Sequence, residues 1–398
     1  MDPGAAAAPE GRRWLMLVVG LVAQAASCAF LYGLPFLLPE LRQAYGLSLT
    51  QAGLLVSAPS LGLVTTLVAW GAFVDRFGER LAMTIGLGAA GLILVLSRWP
   101  HDLTLVGVLF GLAGAASASV NAASGRVVMG WFGAHERGLA MGARQMAQPI
   151  GVAIAALVLP PLAGAVGVRD ALLFPAGFCL VTAVVVVVLV VDPPRPARTV
   201  GGPSDNPYRT PALWRLHASS ALLVVPQFAV TVFSQEYLVA VRHWSSGPAG
   251  RVLAGVQLVG ACGRLAVGRW SDHVGSRLRP MRQIAVASAA AMLAVGAAAA
   301  SGRGIVLLAL AVATVISVTD NGLGFTATAE LAGRAWSGRA LGMQNTAQNL
   351  VAFATPSVFA ALVGQWDYAG AFVVCAVFPA IGVLTTPVRA EEAAGVAP

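Results

Sequence analysis

GAFVDRFGER at Gly71–Arg80 and GRWSDHVGSR at Gly268–Arg277 are the two stretches on which the fold turns. Each follows a long apolar run, and each carries the pattern Gly-x-x-x-Asp-x-x-Gly-x-Arg, with the two copies 197 residues apart. Apolar matches arise by chance in a hydrophobic chain; a shared spacing of glycine, aspartate and arginine does not. Outward from the pair, Val166, Gly167 and Asp170 recur as Val363, Gly364 and Asp367 at the same offset. Gly142, Ala147 and Gln148 recur as Gly342, Ala347 and Gln348 at an offset of 200. The chain therefore repeats itself in parallel orientation, and two such halves are what a rocking carrier with a central site needs.

Composition says what each half is made of. Of 398 residues, 57% are apolar and 11% charged, with a mean hydropathy of +0.77. A soluble domain carries about 25% charged residues, so a soluble enzyme and a disordered chain are both excluded. The net charge of +8 comes entirely from arginine as the basic residue. The arginines are scattered singly between apolar runs, with no basic helix or aromatic–basic cluster, which excludes a nucleic-acid partner. Cys28, Cys179, Cys262 and Cys375 lie inside apolar runs, so neither a disulfide framework nor zinc spacing is present. No cofactor or metal is expected.

Crossing a bilayer takes about 20 apolar residues. The apolar runs predict twelve helices near 14–38, 49–72, 81–97, 103–129, 138–164, 170–191, 214–240, 249–270, 282–300, 304–329, 338–364 and 368–387. Arg12-Arg13 and the AASC that ends at Cys28 have a faint look of a secretory leader. The apolar run continues to Leu38, however, and is read as the first transmembrane helix. Between the sixth and seventh helices, Asp192–Pro211 is rich in Pro and Gly and reads as a linker. The expected fold is an all-α membrane protein of two pseudo-symmetric six-helix bundles, 14–191 and 214–388, with tails 1–13 and 389–398 and a linker at 192–213. Sixteen arginines fall on the face that holds both termini and the linker and six on the other, which predicts cytoplasmic termini.

With those residues in view, the whole chain resembles the major facilitator superfamily of secondary transporters. GAFVDRFGER matches that family's loop between its second and third helices, and GRWSDHVGSR is a degraded second copy. The resemblance implies a multi-pass protein of a bacterial-type cytoplasmic membrane, working as a monomer by alternating access. It further implies that Gly71, Asp75, Arg76, Gly78, Arg80, Asp272 and Arg277 serve structure and gating. A latch between the halves through Asp75, Arg76 and Arg80 is the corresponding expectation. Gly263-Arg264-Leu265-Ala266-Val267-Gly268 also resembles the monocarboxylate and oxalate/formate carriers, in which an arginine at this place contacts the substrate carboxylate. The acidic residue often found one turn earlier is Gly260 here, so that proton relay does not carry over. Drug-exporter signatures are reduced to Gln148-Pro149-Ile150-Gly151 and lack an arginine at Val108.

Polar groups within the spans supply the candidates, because a charge at mid-helix costs about 2.5–3.5 kcal/mol on insertion scales. Arg264 has Leu67 as its repeat counterpart, so the scaffold does not require it. A guanidinium there either grips a carboxylate as a planar fork or snorkels to the cytoplasm. Asp320, beside Asn321, either couples transport to protons or forms a permanent ion pair with Arg126, Arg144 or Arg264. Arg144 and Gln148 share one helical face, in register with Gln344 and Gln348 of the repeat, as cavity lining or as interhelical glue. Tyr32, Asn121, Gln227 and Asn345 are further candidates for the cavity. Glu236 is read as an outer gate or second proton site, or as a solvated interfacial group. Arg126 is assigned a loop carboxylate or helix dipole, and Glu330 a pairing with Arg334 or Arg339. The function expected is proton-coupled symport of a small, anionic substrate, with a drug or metabolite exporter as the alternative. A membrane enzyme is disfavoured because all five histidines fall in loops or at helix ends.

Overall fold

The computed structural model describes residues 10–132, 137–192 and 206–393, for the backbone alone at 10, 128–130, 137–139, 141, 334–335 and 392–393. Every regular element among the described residues is helical. In chain order these are α1 (Glu10–Leu31), α2 (Leu38–Tyr45), α3 (Leu49–Phe77), α4 (Glu79–Leu96), α5 (Leu103–Trp131), α6 (Arg137–Gln145), α7 (Ala147–Val166), α8 (Val168–Ala171) and α9 (Leu173–Leu189). The second half of the chain gives α10 (Pro211–Ala240), α11 (Ser246–Val274), α12 (Leu278–Ala300), α13 (Val306–Val318), α14 (Asn321–Cys375), α15 (Val377–Thr385) and α16 (Val388–Ala393). The helix ends follow local chemistry. Ser48 and Gln51 form a reciprocal capping box at the start of α3. Asp102 accepts from Leu105 N–H at 2.9 Å to open α5, and that bond holds its carboxyl below the usual carboxylate range.

Eleven stretches among the described residues are long and apolar enough to cross a membrane, one fewer than expected. The difference lies in Trp336–Glu391, which runs for 56 residues. Within it Trp366 and Asp367 leave helical geometry, and Asp367 Oδ1 accepts from the N–H groups of Ala369 and Gly370 at 2.7 and 3.1 Å. The predicted boundary between 364 and 368 falls on this break. Other runs are interrupted where the backbone loses donors or turns. Pro35 opens a 3₁₀ turn at Leu34–Leu37 between α1 and α2. The tenth predicted helix is discontinuous, because α13 stops at Val318 and α14 starts at Asn321, leaving Asp320 at the gap.

The helices α1–α9 pack mainly on one another, as do α10–α16, and α3 against α14 and α7 against α11 form the principal seams between these groups. Small residues bring backbones together: a Cβ on Gly62 would lie 1.8 Å from Gly111 O, and one on Gly114 2.0 Å from Pro59 O. Large apolar side chains such as Val68, Val188 and Leu384 face outward, giving the molecule an apolar skin.

The two motif loops are built alike. Gly78 has φ +95°, and a Cβ there would sit 2.1 Å from Asp192 Oδ2, so both conformation and space require glycine. Asp192 accepts from Arg80 N–H at 2.7 Å, while Arg80 Nη2 donates to Val187 O at 2.5 Å. In the second copy Glu391 takes the place of Asp192, accepting from Arg277 N–H at 2.6 Å, Leu278 N–H at 3.2 Å and Ser276 Oγ at 2.5 Å. A carboxylate from the end of each half thus caps the helix that follows its motif.

Candidate functional site

All eight residues proposed for substrate contact line two adjoining cavities between the first and second halves of the chain. Arg144, Asn121, Tyr32, Gln148, Gln227, Asn345 and Gln348 line a cavity with about 720 Å3 of empty space. Arg264 lines its neighbour, of about 500 Å3, which shares Tyr32, Gln148, Gln227, Phe228 and Ala352 with the first.

Arg264 is 7% exposed and stands across the seam between α7 and α11. Its Nε donates to Val318 O at 2.8 Å, its Nη1 to Gln145 O at 2.7 Å and its Nη2 to Gln148 Oε1 at 3.4 Å. No carboxylate among the described residues lies within ion-pair distance of it. A guanidinium has five N–H donors, so two remain unspent. The contact to Val318 sets the charge beside the α13–α14 gap, where Asp320 is 2% exposed and forms no ion pair with Arg126, Arg144 or Arg264 among the described residues. Asp320 stands at the N-terminus of α14 as its N-cap residue.

The larger cavity is framed by three hydrogen-bond chains. Arg144 Nε donates to Ser124 Oγ at 3.0 Å, Ser124 Oγ to Gln24 Oε1 at 2.9 Å, and Gln24 Nε2 to Asn121 Oδ1 at 3.0 Å. From the other half, Gln348 Nε2 donates to Asn321 Oδ1 at 3.1 Å and Asn321 Nδ2 to Gln227 Oε1 at 3.0 Å. The third joins the halves: Tyr32 Oη donates to Asn349 Oδ1 at 3.0 Å and Asn349 Nδ2 to Asn345 Oδ1 at 2.7 Å. Gln24 and Asn349 were missed from the sequence, although each shares a helical face with a chosen residue. Gln24 precedes Tyr32 by eight and Asn349 follows Asn345 by four. Gln344, expected to face the centre, is instead fully buried in the second half, bonded to His217, Thr328 and Ser220.

Glu236 is 1% exposed and ion-pairs with Arg42 of α2, which ties α10 to the first half at the end of the molecule opposite the motif loops. This corrects the reading of Glu236 as a solvated group. The seam is tight here, since a Cβ on Gly250 would lie 2.2 Å from Ala156 O and one on Gly53 3.2 Å from Pro356 O. At the motif end, the ion pairs Asp75–Arg126, Asp272–Arg277 and Glu330–Arg277 each join groups of one half. Asp75 pairs with Arg126, as the loop-carboxylate reading required, and Arg76 lies 5.2 Å over the Phe77 ring. Asp272 pairs with Arg277. Among the described residues, no ion pair joins Asp75, Arg76 or Arg80, the residues of the expected latch, to the second half. Glu330 pairs with Arg277 at 3.5 Å rather than with Arg339, while the side chain of Arg334 lies outside the described residues. The reason is a helix break at Gly333, with φ +70°, which takes the following residues off the face of Glu330.

A helical membrane protein with a polar cavity between two repeated halves has the build of a secondary transporter. The Major Facilitator Superfamily profile matches residues 20–356, and the chain belongs to that family. It is 46% identical over 382 residues to an uncharacterised MFS-type transporter of Mycobacterium tuberculosis strain H37Rv, covering 95% of this chain and 86% of that one. A probable L-galactonate transporter of Escherichia coli K12 is 33% identical over 130 residues, 32% of this chain and 28% of that one. Among solved structures, a bacterial homologue of the human lysosomal transporter Spinster, inward-facing and unoccupied, superposes with a TM-score of 0.79. It is 12% identical, over 98% of this chain and 99% of that one. The chain is thus a multi-pass integral membrane transporter of a bacterial membrane.

Proposed function

We propose that this transporter is a proton-coupled symporter that imports a small organic carboxylate by alternating access. The observation that carries the proposal is Arg264, a buried guanidinium at the seam with two uncommitted N–H donors and no ion-pair partner among the described residues. Burying such a charge is costly without a counter-ion, and an incoming carboxylate supplies one in fork geometry. Asp320, at the gap beside it, is the proposed proton site, since substrate charge at Arg264 and proton charge at Asp320 then act on one element. Glu236 is a second proton-sensitive group because its state decides the bond to Arg42. The partial relative named for L-galactonate, an organic acid, supports an acid as substrate.

The broken 56-residue stretch is read as two crossings, since an unbroken helix of that length would span about 84 Å at 1.5 Å per residue. That gives twelve crossings in two bundles, 14–191 and 214–388, with both termini and the linker cytoplasmic and a single chain as the working unit. The Arg42–Glu236 bond and the tight seam around Gly250 support a conformation closed at the outer end, as in the inward-facing Spinster homologue. Proteoliposomes with an imposed pH gradient test the proposal. Uptake of a carboxylate driven by an acidic exterior is expected; efflux driven by the same gradient would assign an antiporting exporter instead.

A further inference from the structure

The chain has seventeen asparagine and glutamine residues, and nine of them are among the sixteen residues lining the larger cavity. A carboxamide offers paired donors and acceptors without charge. Such a wall exceeds what one carboxylate consumes, since a carboxylate is only an acceptor and the guanidinium fork already serves it.

The three hydrogen-bond chains show where the surplus lies. The first ends at Asn121, whose Nδ2 is buried with no hydrogen-bond partner among the described residues. The second ends at Gln227, whose Oε1 is held by Asn321 while its Nε2 bonds to no described residue. The third ends at Asn345, whose Oδ1 is held by Asn349 while its Nδ2 likewise bonds to no described residue. Each chain therefore fixes by its oxygen a carboxamide of a residue that lines the cavity, and leaves its NH2 group unspent among the described residues. Gln348 adds an acceptor, because its Nε2 is spent on Asn321. Three NH2 groups come from three separate helices, α5, α10 and α14, and they cannot all reach one carboxylate. They match several oxygens spread along a molecule.

We propose that the substrate is a polyhydroxy carboxylate of aldonate type, whose hydroxyls accept from Asn121, Gln227 and Asn345 while its carboxylate meets Arg264. This deepens the carboxylate reading and rests on it. A hydroxyl both accepts and donates, so Gln348 Oε1 is served by the same groups. An apolar ligand would leave the three NH2 groups buried and unpaired, and a site built to bond hydroxyls rejects analogues that lack them.

The test is binding to the purified full-length protein of three six-carbon probes: gluconate or galactonate, hexanoate and galactitol. The aldonate is expected to bind at least about tenfold more tightly than hexanoate, a conservative figure for lost hydroxyl contacts. Asn345→Ala and, separately, Asn121→Ala should weaken aldonate binding about tenfold and leave hexanoate unchanged. Unliganded melting temperatures near wild type show that the variants fold. Equal binding of aldonate and hexanoate overturns the hydroxyl inference and leaves the carboxylate reading in place. Galactitol binding as tightly as the aldonate overturns the carboxylate reading alone. No response to any of the three probes overturns both.

Discussion

Replacing Arg264 by glutamine removes the charge on which the proposed function depends, and its cost can be worked from the contacts. Three of the five guanidinium N–H groups are engaged, with Val318 O at 2.8 Å, Gln145 O at 2.7 Å and Gln148 Oε1 at 3.4 Å. Two are left for a carboxylate. A hydrogen bond to a charged group contributes about 1.5–3 kcal/mol net. Desolvating the carboxylate offsets part of two such bonds, so a net loss of about 2–3 kcal/mol is expected, or roughly 30- to 150-fold in Kd. Arg264→Lys keeps the charge and loses the fork, and should fall between wild type and Arg264→Gln. Titration calorimetry on the detergent-solubilised protein with a bound carboxylate reads these values directly. A melting curve accompanies it, because the bond to Gln145 also ties the halves. Equal carboxylate affinity in wild type and a folded Arg264→Gln would refute the anion argument, and Arg264 would then be a structural strut between α7 and α11.

Further outcomes follow from neighbouring groups. Asp320→Asn should abolish the pH dependence of uptake in proteoliposomes while preserving substrate exchange; full pH-driven uptake would move the proton site elsewhere. Glu236→Gln should weaken the closed seam by about 1–2 kcal/mol, because Arg42 is 33% exposed and screened by solvent. Spin labels at Gln43 and His243 would report this as a broadened, longer distance distribution, and an unchanged distribution would remove the latch role. Gly250→Ala places a Cβ 2.2 Å from Ala156 O and 3.0 Å from Pro160 Cγ, forcing the seam apart. The same labels should show loss of the closed state in a folded protein, with transport abolished; normal transport would show that this seam never closes so tightly.

The architecture was legible because charge is scarce. With 11% charged residues, a doubled pattern of Gly, Asp and Arg stands out, and predicted spans such as 49–72 and 214–240 fall on α3 (Leu49–Phe77) and α10 (Pro211–Ala240). The cavity was legible for the same reason, since a polar side chain inside a span needs a wet or hydrogen-bonded surface. Contacts set by long-range packing were not. Arg42 meets Glu236 across 194 positions, and nothing local in either segment signals it. Nor does local sequence show that α13 and α14 part at Asp320, since Val-Ile-Ser-Val-Thr before it reads as continuous helix. Nor does local sequence show that Glu330 meets Arg277, which lies 53 positions earlier in the chain.

Symmetry separates scaffold from chemistry in this chain. Positions that kept their chemistry in the two halves build the frame: carboxylates of Asp192 and Glu391 cap the two motif helices, and Gln148 and Gln348 face the cavity from either side. Positions where the copies diverge carry the charge. Arg264 answers to Leu67, a buried core residue, and Arg144 on the cavity wall answers to Gln344, which is folded back onto His217. A duplicated bundle starts with two equal faces, and a substrate with one charged end and one neutral end needs them unequal. The second half supplies the Arg264 guanidinium at the seam, with two of its five N–H groups unspent. The first supplies Arg144 and the orphaned NH2 of Asn121, held in place through Ser124 and Gln24. A ligand bridging both lowers the energy only of a state in which the halves hold the spacing seen here. In the proposed alternating-access cycle, differential binding of that kind would shift the population toward that state.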